Sequence, residues 1–349
     1  MFIPPEQVHR ILIVNIAHIG DIVLSCPIAR TLKFFYPNAK IDMLVSMPQG
    51  EAAYHNPYIS DVLLYDIQDW QKERAKLLTL IHTLRRKRYE LALSSRYGSL
   101  DAMLAWLSGA IYRFGFDKQG NRKFLTHPVP FTSSTTRHET EYQLEVLSPL
   151  GLTTEDTSIE FSVSAEEESC LCQKLQHLQK KQQSVVICPY SDYSKKNWTT
   201  DGFIRVVKML TNLANCFLVG SYRQLPALNA INAGAGNMAT VFGGTLSLGE
   251  LGALIRKSNL FITVDTGPLH IAQAFKTPVI ALMGPTDPRV WGPRRPFDIA
   301  LTKSMDCSFC WHKDEALSNS CQSNECMRRI QPTEVIQSAV GILARSMVT

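Results

Sequence analysis

Apolar residues along this chain follow two rhythms. Short apolar runs recur at residues 11–14, 40–45, 62–65, 91–94, 184–189, 216–219, 241–244, 260–264, 278–283 and 299–302. Runs of this length predict strands, and those without polar alternation predict strands buried on both faces of a parallel sheet. Between them the apolar positions recur at helical spacing, over 22–35, 69–88, 139–150, 165–183, 248–256, 268–275 and 332–347. In the 69–88 segment leucines 77, 80 and 84 with Ile81 form the stripe, and in the last segment Val335, Ile336, Val340, Leu343 and Ala344 do so. Gly151 sits where a left-handed residue ends the helix before it. Strands alternating with helices predict mostly parallel sheets joined by right-handed crossovers. At 349 residues the chain is too long for one ordinary core and suits two domains, 1–165 and 166–331, with the stretch around 159–183 as hinge region.

The chain is organised around residues 260–293. Asp265 ends a predicted strand, and Thr266, Gly267 and Pro268 then open a helix. Free amides and the positive dipole end at such a turn suit a phosphate. A second loop, Gly284-Pro285-Thr286-Asp287-Pro288, follows the next strand, so two anion-friendly loops are expected to flank one crevice. Gly220-Ser221 is a small-residue loop suited to a nucleotide base or ribose. The turn after the first strand, from Asn15 to Asp21, lacks the G-x-G-x-x-G spacing of a dinucleotide loop.

The motif D-T-G-P-x-H at 265–270, followed by G-P-T-D-P at 284–288 and W-G-P at 291–293, resembles the bacterial lipopolysaccharide heptosyltransferase family. The resemblance runs from Ile11 to about Val340. It implies the α/β fold called GT-B, two Rossmann-like domains with parallel sheets facing a cleft. Acceptor would bind the first domain and nucleotide sugar the second, with residues 332–349 as a helix crossing back to the first. It also implies an inverting transfer of heptose from ADP-heptose to a lipopolysaccharide core acceptor, independent of metal and without a cofactor. No D-x-D motif stands in a suitable loop. Lys196-Asn197-Trp198 matches the family's K-x-W element, which puts Lys196 on the donor diphosphate and Trp198 in packing; Lys195 is the adjacent alternative. Asp265 is expected on the sugar, with the amides around Thr266, Gly267 and Thr286 on the phosphates and Asp287 in the same donor set. His270 either bonds the loop from inside the helix or takes part in the chemistry. Gly20-Asp21 resembles the family's G-D motif, which makes Asp21 the general base; the competing role is a helix N-cap. Asn15 stands where many relatives carry a basic residue, which favours caution between an enzyme and a binding protein on the same fold. The family has glycine near Lys276, where a left-handed non-glycine residue costs about 1 kcal/mol. A related transferase using another nucleotide sugar is the rival enzyme.

Near predicted strand ends and in the polar stretch 117–136 lie Arg96, Tyr97, Arg113, Arg122, Lys123, Arg137 and His138. Arg96, Arg113, Arg122 and Arg137 are the candidates for acceptor phosphates or carboxylates, against the alternative of ordinary surface charge.

Composition adds three points. Hydrophobic residues at 45% and charged ones at 19%, without a long apolar run or a signal-peptide pattern, predict a cytoplasmic globular protein. The net charge of +5 is concentrated at Lys72, Arg74, Lys76, Arg85, Arg86, Lys87 and Arg88. That run suits a solvated face, or else the inner membrane surface where a glycolipid acceptor would lie, and no nucleic-acid motif accompanies it. Cys307, Cys310, Cys321 and Cys326 combine a C-x2-C pair with a looser one, open between thiols or a disulfide and a structural zinc.

Overall fold

The computed structural model describes residues 3–66, 74–118, 120–131, 137–178, 181–313, 321 and 323–346. Two compact units divide the chain, Met1–Phe161 and Ser162–Thr349.

The first unit carries β1 (Arg10–Asn15), α1 (Ile19–Leu24), α2 (Cys26–Phe35), β2 (Lys40–Ser46), β3 (Asp61–Tyr65), α3 (Arg74–Lys87), β4 (Leu91–Ser94), α4 (Ser99–Leu107), β5 (Tyr112–Asp117), β6 (His127–Pro130) and α5 (Glu139–Leu144). Its strands lie in the order β3-β2-β1-β4-β5-β6, all parallel. Leu12, Val14 and Ala92 pack on one face of the sheet with Leu84 of α3 and Leu104 of α4. Ile11 and Ile13, which alternate to the other face, are equally buried.

Several elements depart from the sequence expectation. The helix expected over 22–35 is two helices, because Ser25 closes α1 and Pro27, lacking an N–H, suits the first turn of α2. β6, and the last residue of β5, fall in the polar stretch 117–136, where no strand is expected. Pro128 and Pro130 mask β6, yet an edge strand tolerates them because its outer side has no ladder to complete. The helix expected over 139–150 is α5 followed by a tighter 3-10 segment, Glu145–Leu150, ending at Gly151 with φ of 73°. Of the basic run, Lys72 lies outside the described residues. In α3 only Leu84 is buried, while Leu78 stands 65% exposed.

The second unit carries α6 (Ala165–Leu175), β7 (Ser184–Cys188), α7 (Thr200–Leu210), β8 (Asn215–Gly220), α8 (Leu225–Gly234), β9 (Thr240–Gly243), α9 (Leu248–Arg256), β10 (Leu260–Val264), α10 (Gly267–Ala272), β11 (Val279–Leu282), α11 (Pro288–Trp291), β12 (Ile299–Leu301), α12 (Cys310–Lys313), α13 (Glu325–Arg328) and α14 (Pro332–Arg345). The sheet order is β12-β11-β10-β7-β8-β9, again parallel. Counted within its own unit, each sheet therefore has its third, second, first, fourth, fifth and sixth strands side by side, the doubly wound order. α6 and α9 start on capping boxes, Ser164 with Glu167 and Ser247 with Glu250.

The helix expected to cross back to the first domain has its apolar stripe inside the second unit. Val335, Ala339, Ile342 and Leu343 of α14 join Ile187, Phe203 and Ile262 in one core cluster, and the compact unit runs on to the chain end. The unit boundary falls at 161/162, a few residues before the expected 165/166. Lys276 is not among the residues in the left-handed region, so the cost expected there does not arise.

Candidate functional site

In a doubly wound sheet the first and fourth strands are neighbours whose crossovers leave in opposite directions, and the crevice beyond their carboxyl ends is the natural ligand position. In the second unit those strands are β7 and β10. Asp265 leaves β10 and Lys196 follows β7, and Lys196 Nζ stands 2.8 Å from Asp265 Oδ2. Asp265 is 3% exposed. Burial would push its carboxyl up, but Lys196 and then His270 reverse that and hold it below the usual carboxylate range.

Local packing delivers Lys196. The Asn197 side chain accepts from Ser191 N (2.7 Å) and donates to Ser191 O (3.2 Å), closing the loop, while Trp198 Nε1 donates to Ile330 O (3.0 Å) from the core. The Trp311 ring lies 4.9 Å from Lys196 Nζ, and Trp311 N donates to Pro285 O (3.0 Å). Lys195, the alternative by one position, instead lines the cysteine cavity.

Thr266 is the N-cap of α10 without a side-chain cap bond, and Gly267 and Pro268 form its first turn. His270 is buried, its Nδ1 3.2 Å from Nε2 of Gln273, the C-cap of its own helix. Thr286 is wholly buried. Asp287, expected on the donor, is the N-cap of α11; it accepts from Arg289 N (2.9 Å) and pairs with the Arg289 guanidinium at 2.6 Å. At Gly220-Ser221, expected to admit a base or ribose, Ser221 N donates to Gln224 Oε1 (3.0 Å) in a capping box.

The four late cysteines share one cavity of about 260 Å³ with Lys195, Pro285 and Asn324. None is bridged, and among the described residues no three His, Cys, Asp or Glu side chains are set to hold a metal ion. Burial, with Cys310, Cys307 and Cys321 nearby, pushes the Cys326 thiol up to about 11. A Cβ on Gly284 would come within 2.8 Å of Cys326 Sγ, so the glycine is what lets this segment press against the 284–288 loop. Asn324 Nδ2 also donates to Asn197 O (2.9 Å). The segment thus buttresses both loops that carry the donor candidates.

In the first unit the corresponding strands are β1 and β4. Asp21 follows β1, Arg96 follows β4, and Arg96 Nε stands 3.5 Å from Asp21 Oδ1. Asp21 is 6% exposed and lies inside the first turn of α1, whose N-cap is His18; it is not the N-cap. Asn15 is buried and donates to Asp21 O (3.2 Å). Arg96 therefore faces the candidate base. The other three acceptor candidates are elsewhere engaged. Arg113 donates to the carbonyls of Phe124 (2.8 Å) and Ala110 (2.7 Å), Arg122 pairs with Asp117 at an exposed position (3.1 Å), and Arg137 pairs with Glu145.

Three groups escaped the sequence reading. Asp101 at the start of α4 is buried and accepts from Ile16 N (2.8 Å), with burial pushing its carboxyl up to about 6. Glu139, which opens α5 after β6, is 5% exposed; burial first, then Asp21, pushes it up to about 7. Lys118, directly after β5, stands 4.1 Å from the Tyr97 ring centre and 4.0 Å from that of Phe131. Each is a single acid or base beside a predicted element, and no spacing rule singles it out. Knowledge of the strand order would have, since they follow β4, β5 and β6, the three strands stacked on the Arg96 side of β1.

Among the described residues no helix is long and apolar enough to cross a membrane. The family described as glycosyltransferase family 9 (heptosyltransferase) matches residues 77–320. Lipopolysaccharide heptosyltransferase 3 of Escherichia coli K12 is 33% identical over 288 residues, covering 78% of this chain and 82% of that protein. Among solved structures, the family 9 glycosyl transferase of Veillonella parvula superposes with a TM-score of 0.81 at 22% identity, covering 97% of both chains. The E. coli ADP-heptose LPS heptosyltransferase II does so with a TM-score of 0.80 at 20% identity, covering 97% of this chain and 99% of that one. Both support the GT-B fold class.

Proposed function

This chain belongs to glycosyltransferase family 9, the heptosyltransferases, and on that premise we propose that it moves heptose from ADP-heptose to a lipopolysaccharide core sugar with inversion and without a metal. The observation that carries this reading is the buried Lys196–Asp265 pair at the switch point of the second sheet. A lysine held by a single carboxylate can turn to a diphosphate, and the freed carboxylate can accept from sugar hydroxyls. The first-turn amides at Thr266 and Gly267 have no partner within their own helix and suit the same phosphates. With that donor set, departing negative charge is met by an ammonium and amides, which is why no divalent ion is invoked. ADP-heptose rather than another nucleotide sugar is favoured by the E. coli enzyme of that name among the structural neighbours.

On the acceptor side Asp21 is the general base. As the acceptor hydroxyl attacks the anomeric carbon, its O–H proton passes to Asp21 and the bond from carbon to the diphosphate oxygen breaks, leaving ADP. Attack opposite the leaving group inverts the anomeric centre. Arg96 keeps Asp21 oriented through the 3.5 Å contact, and the acceptor's anionic groups have Arg96 and Lys118 within the same strand-end cluster.

The test is ADP release from ADP-heptose and from other nucleotide sugars, with purified truncated core acceptor, in the presence and absence of EDTA. The reading expects acceptor-dependent release with ADP-heptose alone, unchanged by EDTA, and an inverted linkage by NMR. Preference for another sugar nucleotide, retention, or loss of activity with EDTA each removes the corresponding part. The basic α3 and its exposed Leu78 fit peripheral binding at an inner membrane surface, which co-sedimentation with anionic vesicles would detect.

A further inference from the structure

The strand-end cluster of the first unit holds more acid than general-base catalysis by Asp21 requires. Asp21, Asp101 and Glu139 are each at least nine-tenths buried, and the cations in reach are Arg96 and Lys118. Asp101 has a structural task, since it accepts from Ile16 N. Asp21 has Arg96. Glu139 has neither: its side-chain bond is from Gln143 Nε2, one turn along its own helix, at 3.2 Å. Yet α5 packs against α1 and α2, and α1 carries Asp21.

Gln143 supplies the second observation. It is 1% exposed, its amide nitrogen is aimed at Glu139, and the carbonyl oxygen of that same amide has no hydrogen-bond partner. A buried acceptor left without a donor is costly, and a carboxylate beside it only adds repulsion. A carboxylic acid would supply the missing O–H while its other oxygen goes on accepting from the amide nitrogen. The pair is built for a neutral Glu139. Burial, then the charge on Asp21, act in the same sense, against the weaker pull of Gln143, Arg96 and Lys118. Two carboxylates around one guanidinium in a dry site do not both ionise cheaply, and the one nearest the guanidinium keeps the charge.

We propose that Glu139 holds the cluster's exchangeable proton against Gln143, so that the negative charge rests on Asp21 opposite Arg96, and that Glu139 is thereby a positioning residue for the transfer. The inference rests on the reading of Asp21 as general base. Among the described residues, the titratable groups that act on Glu139 are Asp21 from α1, Arg96 and Tyr97 after β4, Lys118 after β5 and Tyr142 on its own element, with Asp101 of α4 sharing Arg96 and His138 as the preceding N-cap. Below about pH 7 Glu139 is neutral. As pH rises through that value it ionises, and a second negative charge beside Asp21 strengthens Asp21 as a proton acceptor. Turnover should then rise a further two- to fivefold, roughly, the size expected when one carboxylate perturbs another by about one pKa unit or less.

The experiment has two arms on the full chain. Carboxyl 13C NMR with labelled glutamate follows Glu139 in the absence of substrate, assigned by its loss in Glu139→Gln. The expected midpoint is near 7, moving down in Asp21→Asn but staying above the ordinary glutamate value, because burial is the larger cause. An ordinary midpoint in the wild type, or one that Asp21→Asn leaves in place, overturns the inference. In the second arm, kcat against pH with ADP-heptose and core acceptor shows a step near pH 7 that Glu139→Gln abolishes with donor KM unchanged; a step that survives Glu139→Gln also overturns it. Failure of the underlying reading shows separately, as near-normal turnover of Asp21→Asn, because the NMR arm needs no turnover. Glu139→Gln keeps the shape and pairs amide to amide with Gln143, and Asp21→Asn reads the same coupling from the other side.

Discussion

The two sheets share a strand order, and each places one ion pair across its switch point, but with the signs exchanged. In the first unit the acid follows the first strand and the base the fourth, Asp21 with Arg96; in the second the base follows the first and the acid the fourth, Lys196 with Asp265. Their surroundings diverge further. Around Asp21–Arg96 two more carboxylates, Asp101 and Glu139, sit at raised values of about 6 and 7. Around Lys196–Asp265 the additional group is His270, which helps hold Asp265 low. On the proposed reading the first cluster takes and passes protons, and the second holds negative charge, its own or a diphosphate's. One topology serves both because the backbone decides only where strand ends meet, while the loop residues decide which charge is left over.

The largest effect should come from the acid of the first pair. Asp21→Asn keeps shape and should fold, bind ADP with near wild-type affinity by calorimetry, and lose on the order of 10²-fold or more in turnover. Equal loss of ADP binding would erase the division of labour between the pairs.

Lys196→Ala attacks the second pair. It leaves Asp265 buried without its cation, so stability at neutral pH should fall by about 3 kcal/mol in urea unfolding. ADP should bind at least about tenfold more weakly, from loss of one charge-assisted bond. Adding Asp265→Asn should recover most of the stability and none of the affinity. Recovery of both would mean that Lys196 serves only its ion pair.

The pH dependence of stability should have opposite signs in the two units. Glu139 is raised from 4.5 to about 7 in the fold, so the folded protein binds that proton more tightly than the unfolded chain. Its contribution is full below about pH 4.5 and is lost as pH rises through about 7. Asp265 is lowered, so its contribution is present above the ordinary aspartate value of 3.8 and is lost as pH falls below it. Glu139→Gln should therefore flatten the decline between pH 5 and 8, an effect on the order of 2 kcal/mol, while leaving the acid limb unchanged. An unchanged decline would take Glu139 out of the buried cluster.

The smallest effect separates the site from its surroundings. Arg122→Ala removes an exposed pair with Asp117 and should change stability by no more than about 0.5 kcal/mol, with acceptor KM unaltered. A raised KM would return Arg122 to the acceptor side and enlarge the first cluster.

What could be read without coordinates was local. β4, β10 and α9 stand at their expected bounds, because each is an unbroken apolar run or a capped amphipathic stretch whose signal lies within its own residues. The turn at Asp265 and the K-x-W lysine were legible for the same reason, as short motifs. Local signal failed where tertiary context overrides it. The prolines of β6 argue against a strand until its edge position is known, and the apolar stripe of α14 reads alike whichever unit it covers. The charge pairing was decided only by the fold. Which of four arginines meets Asp21, and that Glu139 lies buried near Asp21, depend on which strand ends become neighbours. Composition and spacing determined the alternation of strands and helices and the residue types at the turns. Strand order and burial determined which of those charges face each other in a low dielectric, and there a neighbouring charge or a lost hydration shell outweighs any intrinsic preference of the side chain.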